Sequence, residues 1–235
     1  MAQVKTQGLH YNLNHSDVPI RLFKSDFLEF FTHITPLAVV IIWTPIILYS
    51  LYRGISEVPL GMSGAYIPLV YVLGVFLWTF LEYTVHRFLF HMPPTTPLTE
   101  KISFLFHGVH HVQPAYKTRL VMPPVVSIPL GIIVALLYSV LTSALGISQW
   151  LWPMLAGTMT GYLIYDMIHY ATHHWPLRWG YLKYLKRYHM KHHYKIDDAY
   201  YGITSPIWDY VFRTVPADDR KDFSTQEYNF VDFIL

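Results

Sequence analysis

This chain reads as an all-α integral membrane protein: four transmembrane helices topped, on the cytoplasmic side, by a histidine-rich cap that holds two metal ions. Three observations lead there. Hydrophobic residues make up 53% of the 235 positions and charged ones only 14%, a balance that favours a membrane protein over a soluble globule. Four stretches are long and apolar enough to cross a bilayer core of roughly 30 Å, which takes about 20 helical residues. Eleven of the 14 histidines lie between His86 and His193, and ten of those fall into four short, spaced groups.

Residues 1–33 form an N-terminal segment without a cleavable signal pattern, because the first long apolar run starts near Ile34. Within it, Asp17–His33 carries Asp26 and Glu29 at a helix start, and Leu22, Phe23, Phe27, Phe30 and Phe31 on one face. That pattern predicts a helix lying in the membrane interface. The spans follow near Ile34–Tyr52, Ala65–Val85, Val125–Leu145 and Ile147–Ile168. Prolines 36, 45, 68, 129 and 153 interrupt them, as membrane helices tolerate. Gly146 separates the last two, which predicts a tight helical hairpin.

Basic residues set the orientation. With four spans, the N-terminus, the 86–124 segment and the 169–235 segment share one side. Every Lys and Arg except Arg53 falls there, from Lys5 to Lys221. This side is therefore the cytoplasm, and both termini lie in it. The histidine groups occupy the same side: His86-x4-His91, His107-x2-His110-His111, His169-x3-His173 and His189-x2-His192-His193.

Helical residues three and four apart share a face. His107 can therefore pair with His110 or His111, His189 with His192 or His193, and His169 with His173. His86 and His91 are five apart, a poor spacing for a straight helix. Met92-Pro93-Pro94 follows, so the helix is expected to end there and let His91 turn inward. Neutral imidazole is the commonest protein ligand for transition metals, and ten exceed the needs of one ion. With no cysteine in the chain, thiolate sites, iron–sulfur clusters and disulfides are excluded. An all-nitrogen set suits iron, zinc, copper or nickel. Open positions on iron suit oxygen activation; zinc can fill the same site without redox chemistry. His10, His15 and His33 read as ordinary surface or hydrogen-bonded residues, and the spacing does not need His174. Asp166, Glu82 and Asp209 are candidates to orient the imidazoles from behind. Trp78, Phe88, Tyr162 and Tyr170 are candidates to line a greasy substrate slot. A net charge of +2 and the lack of a basic fold motif give no sign of nucleic-acid binding.

The run Trp78-Thr79-Phe80-Leu81-Glu82-Tyr83-Thr84-Val85-His86-Arg87-Phe88-Leu89-Phe90-His91 resembles the first box of the fatty acid hydroxylase superfamily. His107-Gly108-Val109-His110-His111, followed by Arg119 to Pro124, is similar to the second box of its fatty acid 2-hydroxylases. Tyr165 to Tyr170 with His173-His174 resembles the third, and His189-Met190-Lys191-His192-His193-Tyr194 the fourth. Tyr201 to Asp209 and Arg21 to Phe27 resemble the 2-hydroxylases over the sterol branch. The likeness covers about residues 21–215 and makes 34–235 the hydroxylase domain. It departs at Pro114-Ala115-Tyr116, where members often carry Pro-Met-Asp.

The resemblance implies a membrane monooxygenase that inserts one oxygen atom from O2 at carbon 2 of a long acyl chain, commonly the N-acyl chain of a sphingolipid. It implies two iron ions held by His86, His91, His107, His110, His111, His169, His173, His189, His192 and His193. Many members carry a cytochrome b5 domain for which this chain leaves no room, so electrons are expected from a separate cytochrome b5 or ferredoxin type protein with its reductase. The expected location is the endoplasmic reticulum in a eukaryote and the inner membrane in a bacterium. Rival readings are a sterol C4-methyl oxidase or desaturase, a carotenoid hydroxylase, and a non-enzymatic metal transporter. Transporters place their ligands near mid-membrane, whereas these lie at the span ends.

Overall fold

A computed structural model describes residues 11–220; Lys5, His10, Lys221 and the rest of the two chain ends lie outside them. The described residues are helical throughout, apart from turns and loops. A short α1 (Asp26–Phe30) precedes the long helices α2 (Pro36–Ser56) and α3 (Tyr66–Thr84). Helix α3 runs on as a π-helical turn over Val85–Phe90. Then come α4 (Pro97–Ser103), a second π turn (Phe104–Gly108) and α5 (Val109–Val112). Helices α6 (Pro124–Ala144) and α7 (Leu151–His174) form the hairpin, and α8 (Gly180–Tyr194) and α9 (Ile207–Val211) close the chain.

Local chemistry explains several boundaries. Thr35 caps α2 by accepting the Ala38 N–H at 3.3 Å, and Pro36 occupies the first turn, where its missing N–H is not needed. Thr96 and Thr99 form a reciprocal capping box ahead of α4. Gly146 turns the α6–α7 corner at φ +68°, a left-handed conformation that suits glycine.

Three helical stretches are long and apolar enough to cross a membrane: Pro36–Ser56, Tyr66–Phe90 and the one ending at Ala144. They coincide with the first three expected spans. The expected fourth span is present as a helix, α7, but it does not reach the same apolarity. Its surroundings explain why. Helix α7 packs against α2, α3 and α6 and buries residues on every side, among them Gly157, Thr158, Gly161 and Asp166. A helix sheathed by other helices does not need a lipid-compatible surface. Helix α6 does the opposite, turning Ile132, Leu136 and Val140 outward with more than half of each exposed. Leu37 and Ile41 of α2 are exposed in the same way, as an apolar solvent allows.

Small residues bring α3 and α7 into backbone contact. A Cβ on Gly157 would lie 2.0 Å from the Tyr71 carbonyl oxygen, and one on Gly74 would lie 2.3 Å from that of Met154. Such close approach is a common basis for helix association in lipid. Thr158 donates to the Gly74 carbonyl at 3.1 Å and Tyr71 to Thr160 at 3.0 Å.

The N-terminal segment departs from expectation. Only five residues are helical, not the whole of Asp17–His33. Glu29 does not close a helix cap; its carboxylate accepts the Leu22 and Phe23 N–H groups at 2.9 and 2.8 Å. It also pairs with Arg119, which bonds the Ile20 carbonyl. These contacts fold residues 20–33 into a strap against the start of α6.

A Gly157→Val variant is expected to lose about 1–3 kcal/mol of stability, because the backbone of Tyr71 cannot yield. A lower thermal midpoint in detergent, with Gly64→Ala close to wild type, checks this.

Candidate metal centre

The ten spaced histidines converge in two groups of five: His86, His91, His107, His111 and His192, and His110, His169, His173, His189 and His193. Within each group one ring nitrogen per residue lies within 4.8 Å of all the others. The motifs are not used one per site. Each HxxHH unit gives its outer pair, four apart, to one group and its middle histidine to the other. Thus His107 and His111 join the first group and His110 the second, while His189 and His193 join the second and His192 the first. The exchange locks the two groups together through α5 and α8.

The π turns complete the alignment. His91 donates its N–H to the His86 carbonyl at 3.0 Å, an i+5 bond that makes five residues roughly one turn. The helix ends beside the prolines as the sequence suggested, its last turn widening over Val85–Phe90, and both rings face one centre.

The geometry suits cations. His86 Nε2 lies 3.0 Å from His107 Nε2, and His192 Nε2 lies 3.0 Å from His91 Nε2. His110 Nε2 faces both His193 and His169 Nε2 at 3.0 Å, and His173 Nε2 lies 2.9 Å from His189 Nε2. One shared proton can satisfy one such pair, but not five converging nitrogens. His86 Nδ1 donates to the Tyr201 carbonyl at 2.5 Å and His192 Nδ1 to that of Ala199 at 2.6 Å. A carbonyl only accepts, so Nδ1 carries the proton and Nε2 turns a lone pair inward. His111 Nε2 is buried without a hydrogen-bond partner among the described residues. Burial, reinforced for most by neighbouring histidines, holds His107, His110, His111, His189, His192 and His193 well below the ordinary imidazole range. They are neutral, the form that coordinates. A cysteine-free set of neutral imidazoles with inward lone pairs fits a transition-metal ion in each group.

The three carboxylates act one step further out than the sequence suggests. Glu82 does not bond His86; it accepts from the Ile203 and Thr204 N–H groups at 2.5 and 2.8 Å and from the Thr204 hydroxyl at 2.5 Å. Asp209 accepts from the Tyr201 and Gly202 N–H groups at 2.9 and 2.7 Å. Together they shape the 199–204 loop, whose carbonyls orient His86 and His192. Asp166 accepts the Met122 N–H at 3.2 Å, and so secures the entry to α6 rather than the ring of His169, whose Nδ1 has no hydrogen-bond partner among the described residues. The orienting atoms of His86 and His192 are thus backbone carbonyls, which side-chain identity does not reveal. His174 stands outside both groups and packs on Tyr170 at 4.6 Å. His33 is also outside, bonded to Thr118 at 2.8 Å.

A cavity of about 230 Å³ touches both groups, lined by His107 of the first and His110 and His169 of the second. Its other walls are mainly apolar, including Leu22, Phe23, Phe90, Leu105, Phe106 and Tyr165. The four aromatic candidates from the sequence do not line it. Trp78 and Tyr162 border a smaller cavity of about 60 Å³ beside Trp43. Phe88 is exposed under Arg87, and Tyr170 covers His174. Helical period separates inward from outward faces, but not one interior space from another. Closeness in sequence to the ligands does not separate them either: Phe106, Val109 and Tyr165 line the cavity, whereas Tyr170, next to His169, does not.

With this site in view, the chain belongs to the fatty acid hydroxylase family, whose profile matches residues 71–214. The family is one of membrane oxidoreductases. Among individual proteins, the chain is 39% identical over 201 residues to a dihydroceramide fatty acyl 2-hydroxylase of Arabidopsis thaliana, covering 84% of this chain and 80% of that one. It is 38% identical to the fatty acid 2-hydroxylase of Macaca fascicularis, covering 88% of this chain and 59% of the relative. Its structure is similar to the visible hydroxylase domain of full-length scs7p, with a TM-score of 0.73 and 35% identity over 83% of this chain and 71% of the other.

Asp209→Leu strands two buried N–H groups, each worth about 1–3 kcal/mol. Metal affinity is expected to fall about 10–100-fold, read by competition with a chelator. His110→Ala and His192→Ala are each expected to lower metal content from two ions per chain towards one, read by elemental analysis.

Proposed function

We propose that this protein hydroxylates carbon 2 of long-chain fatty acyl groups, with the N-acyl chain of a ceramide-type sphingolipid as substrate. The observation that carries this reading is the apolar cavity whose wall includes histidines of both groups. A slot of this kind takes a hydrocarbon chain and has no carboxylate or thiol poised as nucleophile. The names of the relatives narrow the chemistry to position 2; none of those quoted is a sterol or carotenoid enzyme.

The ten histidines are the proposed ligands of two iron ions, five to each. Iron and O2 supply the oxidising power for an aliphatic C–H bond, which the acids and bases of a protein lack. The side chains have other duties. The imidazoles hold their lone pairs inward, and the loop built on Glu82 and Asp209 keeps two of them in that tautomer. Leu22, Phe23, Leu105 and Phe106 exclude water and clamp the chain. A cavity of about 230 Å³ is below the roughly 300–1,000 Å³ of a site that engulfs a drug-sized ligand. It therefore admits the reacting end of the acyl chain and leaves the tail in the bilayer, past Val125 and Val126 at the head of α6.

In this reading α7 is the fourth span, and the cap and both termini face the cytoplasm. Support comes from the basic residues: among the described residues Arg53 alone lies at the opposite end, where it pairs with Glu57. Two electrons arrive from a separate cytochrome b5 or ferredoxin type protein. The membrane is the endoplasmic reticulum in a eukaryote and the inner membrane in a bacterium.

Expression with iron and a reductase system, followed by mass spectrometry of released fatty acids, tests the proposal. Wild type is expected to form 2-hydroxy acids and His110→Ala none above background; oxidised sterol or carotenoid in their place would overturn it. Val109→Phe narrows the cavity beside His107 and His110, and is expected to raise KM for long acyl chains more than for short ones while metal content stays at the wild-type level.

A further inference from the structure

Helix α8 has two faces of opposite character. One is buried and carries Leu185, Tyr188, His189, His192 and His193. The other carries Lys183, Arg187 and Tyr194, all exposed, at the spacing that keeps residues on one helical stripe. Arg178 joins them from the preceding loop. With Lys186, Lys191 and Lys195 they line an open groove of about 830 Å³. Lys191 and Lys195 share Asp219, at 2.7 and 3.6 Å. Among the described residues Arg178, Lys183 and Arg187 pair with no carboxylate, so the described stripe carries an excess of positive charge.

The direction of this stripe follows from the metal centre. The histidine face of α8 meets rings that come from the end of α3 (His86, His91) and the end of α7 (His169, His173). The opposite face therefore points away from the apolar bundle, and the basic groove opens to water rather than to lipid. It also lies only one helix diameter, about 10–12 Å with side chains, from both five-histidine groups.

We infer that this groove is the docking site of an acidic one-electron carrier protein. The inference rests on the hydroxylase reading, because that reaction needs reductant. Inserting one oxygen atom of O2 into a C–H bond yields an alcohol and water, and consumes two electrons and two protons. Two reduced carriers, each oxidised by one electron at this face, supply the electrons; the protons come from water. Charge complementarity steers such an encounter and makes it sensitive to salt.

The test is a charge reversal in the full chain held in nanodiscs: Arg178→Glu, Lys183→Glu and Arg187→Glu together. Turnover is driven in one arm by the soluble haem domain of an acidic cytochrome b5 with its reductase; in the other, the protein is reduced under nitrogen with stoichiometric dithionite and O2 is then admitted for a single turnover. The expected result is a KM for the cytochrome raised by about tenfold or more, with a flattened salt dependence. Dithionite-driven turnover and metal content should match wild type. An unchanged KM overturns the proposal, as does an equal fall in both arms, which marks a structural role. Reduced binding to phosphatidylserine vesicles with unaltered cytochrome kinetics also overturns it, by assigning the groove to lipid. If wild type makes no product with either reductant, the hydroxylase reading fails instead. Titration of the cytochrome against wild type and variant at low salt then decides the docking site: tighter binding by wild type supports it, and equal binding overturns it.

Discussion

Ten imidazoles are packed side by side, eight of them buried and His91 and His173 partly so, and each must stay neutral with a lone pair turned inward. Protonation of any one would place a charge in a desolvated space already crowded with nitrogen. A misturned ring would leave a buried N–H facing other donors. The described structure is arranged around this constraint. The long helices bring the histidines to one end of the bundle, the π turns correct their phase, and the 199–204 loop supplies carbonyls that choose the tautomer of His86 and His192. The carboxylates of Glu82 and Asp209 hold that loop in shape. These acceptor oxygens thus stay one layer behind the rings, close enough to organise them and without taking the place of a ligand.

The same constraint governs packing. Two groups that exchange histidines through α5 and α8 cannot shift independently. Helices α3 and α7 must then arrive in fixed register, and backbone contact at Gly74 and Gly157 gives them one. Because α7 is enclosed by α2, α3 and α6, it can carry Asp166, threonines and glycines that a lipid-facing helix would exclude. Asp166 uses this shelter to hold the turn at Met122, which forms one wall of the apolar cavity. The strap over residues 20–33, pinned by Glu29 and Arg119, provides another wall. An acyl chain can reach the histidines between them, while α8 shields the centre from water and presents cations on its outer side.

Much of this was legible in the residues. Composition and apolar run length marked the helices, and their ends agree with the expected spans within a few residues. Histidine spacing marked all ten members of the two groups and, among the described residues, set His15, His33 and His174 apart. These are local properties: a repeat of three or four, or an apolar stretch of bilayer length, says the same thing whatever surrounds it. The differences arise where surroundings decide. The fourth expected span is present as helix α7, and its lower apolarity follows from the helices that cover it, which run length does not show. Helical spacing points Asp166 at His169 and Glu82 at His86, yet their partners Met122 and Ile203 are distant in the chain, and Asp209 holds the nearby Tyr201 N–H rather than a ring. Trp78, Phe88, Tyr162 and Tyr170 were chosen for being aromatic, which does not say which interior space a ring enters.

Residue type and spacing were therefore enough to establish a helical membrane protein with a cysteine-free, ten-histidine centre and a likeness to lipid hydroxylases. The partition of those histidines into two interleaved groups needed the fold. On a helix, His107 is equally able to face His110 or His111, and the choice depends on where α3, α7 and α8 deliver their own rings. The carbonyls of Ala199 and Tyr201 belong to this second kind of information too. Every residue has a carbonyl, so its role depends on position in space and leaves no mark in the order of side chains.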